Sequence, residues 1–145
     1  MSEDRIEIFT DGACKGNPGP GGWGVYIRGL SQEIELFGRD DKTTNNRMEL
    51  TAIIEGLRAI NTDQRVVIHT DSRYALDGIS VWIKNWKRNG WKTASKGVVK
   101  NTDLWQKLDE LSVGREIEWV WVKGHSGNPG NEKADLLANK GISED

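Results

Sequence analysis

Apolar residues change their spacing along this 145-residue chain, and the change limits the folds open to it. The run 6–9 (Ile-Glu-Ile-Phe) is β-like, as is Trp23-Gly24-Val25-Tyr26-Ile27. Glu33-Ile34-Glu35-Leu36 alternates polar with apolar, the pattern of a strand with one wet face. Residues 24–38 therefore read as a hairpin turning near 29–31, after a Gly/Pro-rich turn over 16–22. The period then becomes helical: Leu50, Ile53, Ile54 and Leu57 recur at i, i+3, i+4 and i+7, with N-cap candidates at 43–46. A compact strand follows at 65–70, helical stretches at 72–89 and 103–112, and a last strand at 116–122. A closing helix has Asn131 near its start and Leu136, Leu137 and Ala138 as candidate core residues. The order β-β-β-α-β-α-α-α-β-α predicts an α/β domain.

The length suits one domain, 1–145. No apolar run approaches the roughly 18 residues of a membrane helix. The start, Met-Ser-Glu-Asp-Arg, lacks the basic and apolar regions of a signal peptide, so a cytoplasmic protein is expected. One cysteine cannot close an internal disulfide, and with two histidines it is too little for an ordinary structural zinc site. The net charge of −2 conceals an asymmetry. Residues 80–101 hold Lys84, Lys87, Arg88, Lys92, Lys96 and Lys100 with no Asp or Glu, and Trp82, Trp86 and Trp91 are interleaved. A charge run alone is most often a solvated helix face. Aromatic faces among cations instead suit nucleic acid, where bases and sugars stack and phosphates need Lys or Arg.

Gly19-Pro20-Gly21-Gly22-Trp23-Gly24 spells a dinucleotide fingerprint but leads into a strand rather than a helix, so it carries no such reading. The stronger signal is a set of carboxylates on separated elements. Asp11 ends the first strand and Asp71 the fourth, each after Thr and before a small residue. If those strands are neighbours, both acids sit at one sheet edge, where sites of α/β folds assemble. Glu49 lies in the expected first turn of the first helix, on the stripe of Ile53, Gly56 and Ile60, and Asp135 lies one turn into the last helix. Singly, each has an ordinary explanation as a turn residue or a helix-dipole partner. Together they would repel by about 4 kcal/mol per pair at 4 Å and an effective dielectric of 20, so they call for divalent cations. All-oxygen donors favour Mg2+ or Mn2+.

Thr10-Asp11-Gly12-Ala13-Cys14-Lys15-Gly16-Asn17-Pro18-Gly19, Thr43-Thr44-Asn45-Asn46-Arg47-Met48-Glu49-Leu50, Thr70-Asp71-Ser72 and the stretch 124–135, Gly-His-Ser-Gly-Asn-Pro-Gly-Asn-Glu-Lys-Ala-Asp, closely resemble bacterial type 1 ribonuclease H, over roughly residues 5–142. The stretch 82–91 resembles that family's basic protrusion, placed here at about 80–101. The resemblance implies a ribonuclease H-like fold, a five-stranded mixed sheet flanked by helices. It implies a monomeric endonuclease that cuts RNA paired to DNA, leaving 5'-phosphate and 3'-hydroxyl ends. Asp11, Glu49, Asp71 and Asp135 would bind two Mg2+ ions, with Mn2+ able to substitute, and His125 would assist proton transfer or product departure.

Discriminating RNA requires sensing its 2'-hydroxyl. By resemblance, Cys14, Asn17, Asn45, Asn46 and the segment after Asp71 contact substrate. Arg73 stands where relatives often carry Gln. Lys42, where Arg is frequent, would join Thr44 and Asn85 in a pocket for a DNA phosphate. Trp86 would pack on the DNA strand above Trp82 and Trp105, with Lys84, Lys87, Arg88 and Lys92 as phosphate contacts. Trp23, Trp119 and Trp121 are assigned to ordinary structure, and His69 to packing. Two other readings stand beside this one: a different metal nuclease of the same superfamily, integrase-like or junction-cutting, and a hybrid-binding module without activity.

Overall fold

The computed structural model describes residues 5–16, 18–29, 32–60, 64–92, 99–124 and 127–143. Five strands, β1 (Arg5–Cys14), β2 (Gly19–Arg28), β3 (Ile34–Thr43), β4 (Arg65–Thr70) and β5 (Ile117–Trp121), form one sheet in the order β3-β2-β1-β4-β5. β1–β2 and β2–β3 pair antiparallel, whereas β1–β4 and β4–β5 pair parallel, so the expected mixed sheet is present. The helices are α1 (Asn45–Arg58), α2 (Arg73–Asp77), α3 (Ile83–Arg88), α4 (Thr102–Ser112) and α5 (Pro129–Ser143), with a wide π turn (Gly78–Trp82) joining α2 to α3.

The two periods put the core on both faces of the sheet. On one face Ile6, Ile8, Val25, Ile27, Val66 and Ile68 meet Leu50, Ile53 and Leu57 of α1 and Trp105 and Leu108 of α4. On the other, Phe9 and Tyr26 meet Ala134 and Leu137 of α5. Fully burying one such side chain contributes about 1.5–3 kcal/mol, which outweighs propensity differences of tenths of a kcal/mol per residue. Thr44 caps α1 by accepting from the Arg47 amide at 3.2 Å. Ser72 does the same for α2 through the Ala75 amide at 3.0 Å.

Glycines decide how closely helices approach the sheet. A Cβ on Gly12 would lie 2.5 Å from the Glu49 nitrogen, so the bare β1 backbone is what lets the start of α1 settle against it. Cβ atoms on Gly22 and Gly24 would collide with the backbone of α5. These contacts bring α1 and α5 close to the same end of β1.

Several boundaries differ from the sequence reading. β1 continues to Cys14, and β2 begins at Gly19, because Asp11–Cys14 pair with Gly21–Gly24 despite their weak β propensity. Glu49 is the fifth residue of α1, in its second turn rather than its first. Leu136 is 68% exposed while Leu137 and Ala138 are buried, since the 100° step of a helix cannot bury three successive residues on one face.

Candidate active site

Parallel pairing of β1 with β4 sets Thr10 opposite Thr70, and Asp71 follows the end of β4. Asp11 does not end β1 as expected but lies inside it, because its pairing with β2 carries the strand on to Cys14. Glu49 arrives from α1 over Gly12. Oxygens of Asp11, Glu49 and Asp71 all lie within 4.8 Å of one another. Asp135, carried by α5, meets Asp11 in a side-chain hydrogen bond. The four acids line a cleft of about 450 Å3 together with Gly12, Ala13, Cys14, Asn45 and Asn139. Among the described residues the cleft lining contains no lysine or arginine to offset these charges.

The electrostatics follow from that imbalance. Burial, then the charge of Asp71, then the hydrogen bond and charge of Asp135, push the Asp11 carboxyl up to about 9, against a smaller opposing effect of the Gly12 amide. Burial also raises Glu49, to about 7; a hydrogen bond with the Ser72 side chain opposes this and the Asp71 charge adds to it. Without cations the cluster therefore holds protons that such groups lose in water. A divalent cation fits the site: the donors are hard oxygens, and three of them converge within 4.8 Å of one another. Asp11, Glu49 and Asp71 have the geometry to hold such an ion, with Asp135 beside them.

A second cavity, of about 610 Å3, opens beyond α2. Tyr74, Trp82, Asn85, Trp86, Lys92 and Lys100 line it. Trp105 is fully buried beneath, with ring centroids 5.5 Å from Trp86 and 5.5 Å from Tyr74, while Trp82 lies 5.9 Å from Trp86. Trp105 Nε1 and Asn101 Nδ2 both donate to the Tyr74 hydroxyl, at 3.2 and 3.0 Å. Arg47 ties α1 to the start of α4 through two bonds to Asp103, at 3.0 and 2.7 Å. The aromatic cluster is thus built from α2, the π turn, α3 and α4, with Trp105 beneath Trp86 as expected and Trp82 lining the groove beside it.

The remaining candidates fall in various places. Cys14 lines the acidic cleft and its thiol donates to the carbonyls of Thr43, at 3.4 Å, and Gly19, at 3.5 Å. Asn45 lines the cleft, whereas Asn46, Lys42, Thr44 and Arg73 line neither cavity. Lys84 and Arg88 are exposed on α3, and Lys87 is paired with Asp109 at 3.3 Å. Asn17 and His125 lie outside the described residues. His69 stacks on Phe9 with centroids 4.2 Å apart and sits 3.3 Å from Glu7, a packed strand residue as expected.

Sequence reasoning assigned Trp121 to ordinary structure and passed over two residues near the acids and one beside the groove. Trp121 is 46% exposed, and the Arg73 guanidinium lies 5.4 Å from its ring centroid. Gly124 abuts Asp71, where a Cβ would come within 2.8 Å of Oδ2. Asn139 bonds to Asp135, a contact signalled by their i, i+4 spacing on one helix. Tyr74, on the groove wall, is the first aromatic of the stretch that continues to Trp82 and Trp86.

The chain matches the RNase H family model over residues 3–143 and belongs to that family. It is 58% identical over 142 residues to a ribonuclease H of Hyphomonas neptunium, covering 98% of this chain and 95% of the relative. It is 61% identical over 140 residues to a ribonuclease H of Alcanivorax borkumensis, covering 97% and 93%. Among solved structures, LC9-RNase H1, described as a type 1 RNase H with the type 2 active-site motif, is 37% identical with a TM-score of 0.83, covering 96% of this chain and 72% of that one. LC11-RNase H1, solved with an RNA/DNA hybrid, shares the fold at 24% identity and a TM-score of 0.72, covering 94% and 96%.

Proposed function

We propose that this protein hydrolyses the RNA strand of RNA–DNA hybrids, leaving 5'-phosphate and 3'-hydroxyl ends, in a magnesium-dependent reaction. The observation that carries the reading is the convergence of Asp11, Glu49 and Asp71 within 4.8 Å, with Asp135 alongside. Bound divalent ions, Mg2+ or Mn2+, would supply Lewis-acid stabilisation of the phosphate and of the departing 3' oxygen. The protein's part is to hold its four carboxylates in one place and leave the cleft open to a phosphodiester. His125 assists by moving a proton at the nucleophile or the leaving group. Cys14, Asn17, Asn45, Asn46 and Arg73 contact the substrate, whose 2'-hydroxyl must be sensed to tell RNA from DNA. Trp86 packs on the DNA strand, Lys42, Thr44 and Asn85 receive one of its phosphates, and Lys84, Arg88 and Lys92 add charge. Lys87 joins them when it releases Asp109. The protein acts as a monomer in the cytoplasm, with 1–145 as one catalytic domain and about 80–101 as its basic protrusion.

The test uses end-labelled RNA–DNA hybrid, duplex RNA and duplex DNA, each with Mg2+ or with chelator. Cleavage of the hybrid alone, and only with Mg2+, is expected. Cleavage of duplex DNA would favour another superfamily nuclease, and retention of hybrid without cleavage would favour a binding module.

A further inference from the structure

The cleft contains a neutral side chain that the four-carboxylate reading does not use. Asn139 lies one helical turn beyond Asp135 on α5 and lines the same cavity. Its Nδ2 donates to the Asp135 backbone carbonyl at 2.9 Å and to Asp135 Oδ1 at 3.3 Å. The Asp135 carboxylate is thus held by the Asn139 amide on its own helix, in the cleft it shares with Asp11. A carboxylate tied through one oxygen loses rotamer freedom and keeps its other oxygen for the cleft.

Asp135 needs such help more than its partners do. Asp11 is 7% exposed, on the face of β1 that α5 covers, so packing alone limits its rotamers. Glu49 is held by Ser72. Asp135 is only half-buried, on α5 next to the 68% exposed Leu136. A neutral amide suits this position, because it donates a hydrogen bond without adding a cation that would compete with a metal, or an anion that would add repulsion.

We propose that Asn139 is a positioning residue that fixes the Asp135 carboxylate toward Asp11 and thereby sets how tightly the cleft holds a divalent cation. The proposal rests on the reading of the cleft as a metal-dependent hydrolase site. Outer partners of ligating groups typically govern affinity by 10–100-fold, and a single amide bond on the open side belongs at the lower end, about 10-fold.

The experiment titrates magnesium alone into wild type, Asn139→Ala and Asn139→Gln by calorimetry, then measures hybrid cleavage against magnesium concentration. Asn139→Ala is expected to bind magnesium about 10-fold more weakly and to need correspondingly more of it for half-maximal rate. Its KM for hybrid should be unchanged, and its Tm should stay within about 2 °C, as for an exposed substitution. Asn139→Gln, which can still reach Asp135 from i+4, should recover most of the affinity. Wild-type magnesium affinity in Asn139→Ala, or a glutamine variant no better than alanine, overturns the proposal. Failure of the wild type itself to bind magnesium or cleave hybrid would instead remove the hydrolase reading.

Discussion

Replacing Asp11 by Asn separates the cost of the acidic cluster from its use. In the metal-free fold the Asp11 carboxyl titrates at about 9, against an ordinary 3.8. The native state therefore binds a proton that the unfolded chain has lost at every pH between those values. Stability must fall as pH rises through that window, because the unfolded state binds fewer protons. At pH 7 the burden is 1.36 kcal/mol for each of roughly three pH units, or about 4 kcal/mol. Asparagine carries no such burden, but it weakens the contacts with Asp135 and the Gly12 amide, leaving an expected net gain of about 1–3 kcal/mol. For a chain of this size each kcal/mol moves the Tm by about 2–4 °C. In chelator, Asp11→Asn should thus melt above wild type. The difference should widen between pH 7 and 9, since Glu49, raised only to about 7, has by then largely lost its proton in both proteins. Magnesium should reverse the order. A ligand at a hundredfold excess over its Kd adds about 2.7 kcal/mol to the state that binds it, and the variant lacks one ligand. Differential scanning calorimetry at pH 5, 7 and 9, with chelator and with Mg2+, reads all of this. A variant that melts below wild type in chelator, or shows the same pH slope above pH 7, would refute the repulsion argument.

Further outcomes test other parts of the site. Ala at Lys84, Arg88 and Lys92 should raise KM with little change in kcat and flatten the salt dependence, each lost phosphate contact removing about 0.7–0.9 from the slope of log affinity against log salt; adding Lys87→Ala should change the slope less, because Asp109 already holds that charge. His125→Ala should lower kcat by roughly 10- to 1,000-fold, reaching into the usual range for a lost proton-transfer group, with Mg2+ binding by calorimetry unchanged. Gly124→Ala should displace the Asp71 carboxylate, lowering kcat at least 10-fold while the Tm moves by no more than about 4 °C, read by paired kinetics and melts. Trp105→Ala should cost about 3–5 kcal/mol by denaturant titration, since it empties the fully buried floor of the groove.

The parts of the fold that were legible in the sequence are those where one period dominates. The strand 65–70 has the observed boundaries, and the helix stripe at Leu50, Ile53 and Leu57 faces the core as its spacing requires. The pairing of Asp11 with Asp71 was legible too, because Thr-Asp before a small residue follows an apolar strand pattern twice, although β1 itself runs on past Asp11. What escaped depends on contacts between distant segments. Gly12-Ala13-Cys14 gives no β signal alone and becomes strand only through its register with Gly21-Gly22-Trp23. The exposure of Trp121 follows from its place on the edge strand β5, near Arg73. Asn139 was in reach of a local rule, but an exposed asparagine late in a helix invites no attention until the cavity beside it is seen.

The π turn between α2 and α3 has a consequence for insertions and deletions. Trp82 and Trp86 lie eight and twelve positions beyond Tyr74, and at about 100° per residue a plain α-helix would fan the three across roughly 120°. The wide turn, in which the Ile83 amide reaches back to the Gly78 carbonyl, absorbs one residue. The same side chains then fall within about 20° of a common direction, which is how two of them meet Trp105 and all three line one groove. Gly78 permits the arrangement, since any Cβ there would run into the Trp105 ring. Loss of one residue from 79–81 would therefore only tighten the turn to an ordinary helix and keep the aromatic row in register. Gain of one would rotate Trp86 by about 100° and take it off the row. The protein can shorten this segment by one residue more readily than it can lengthen it.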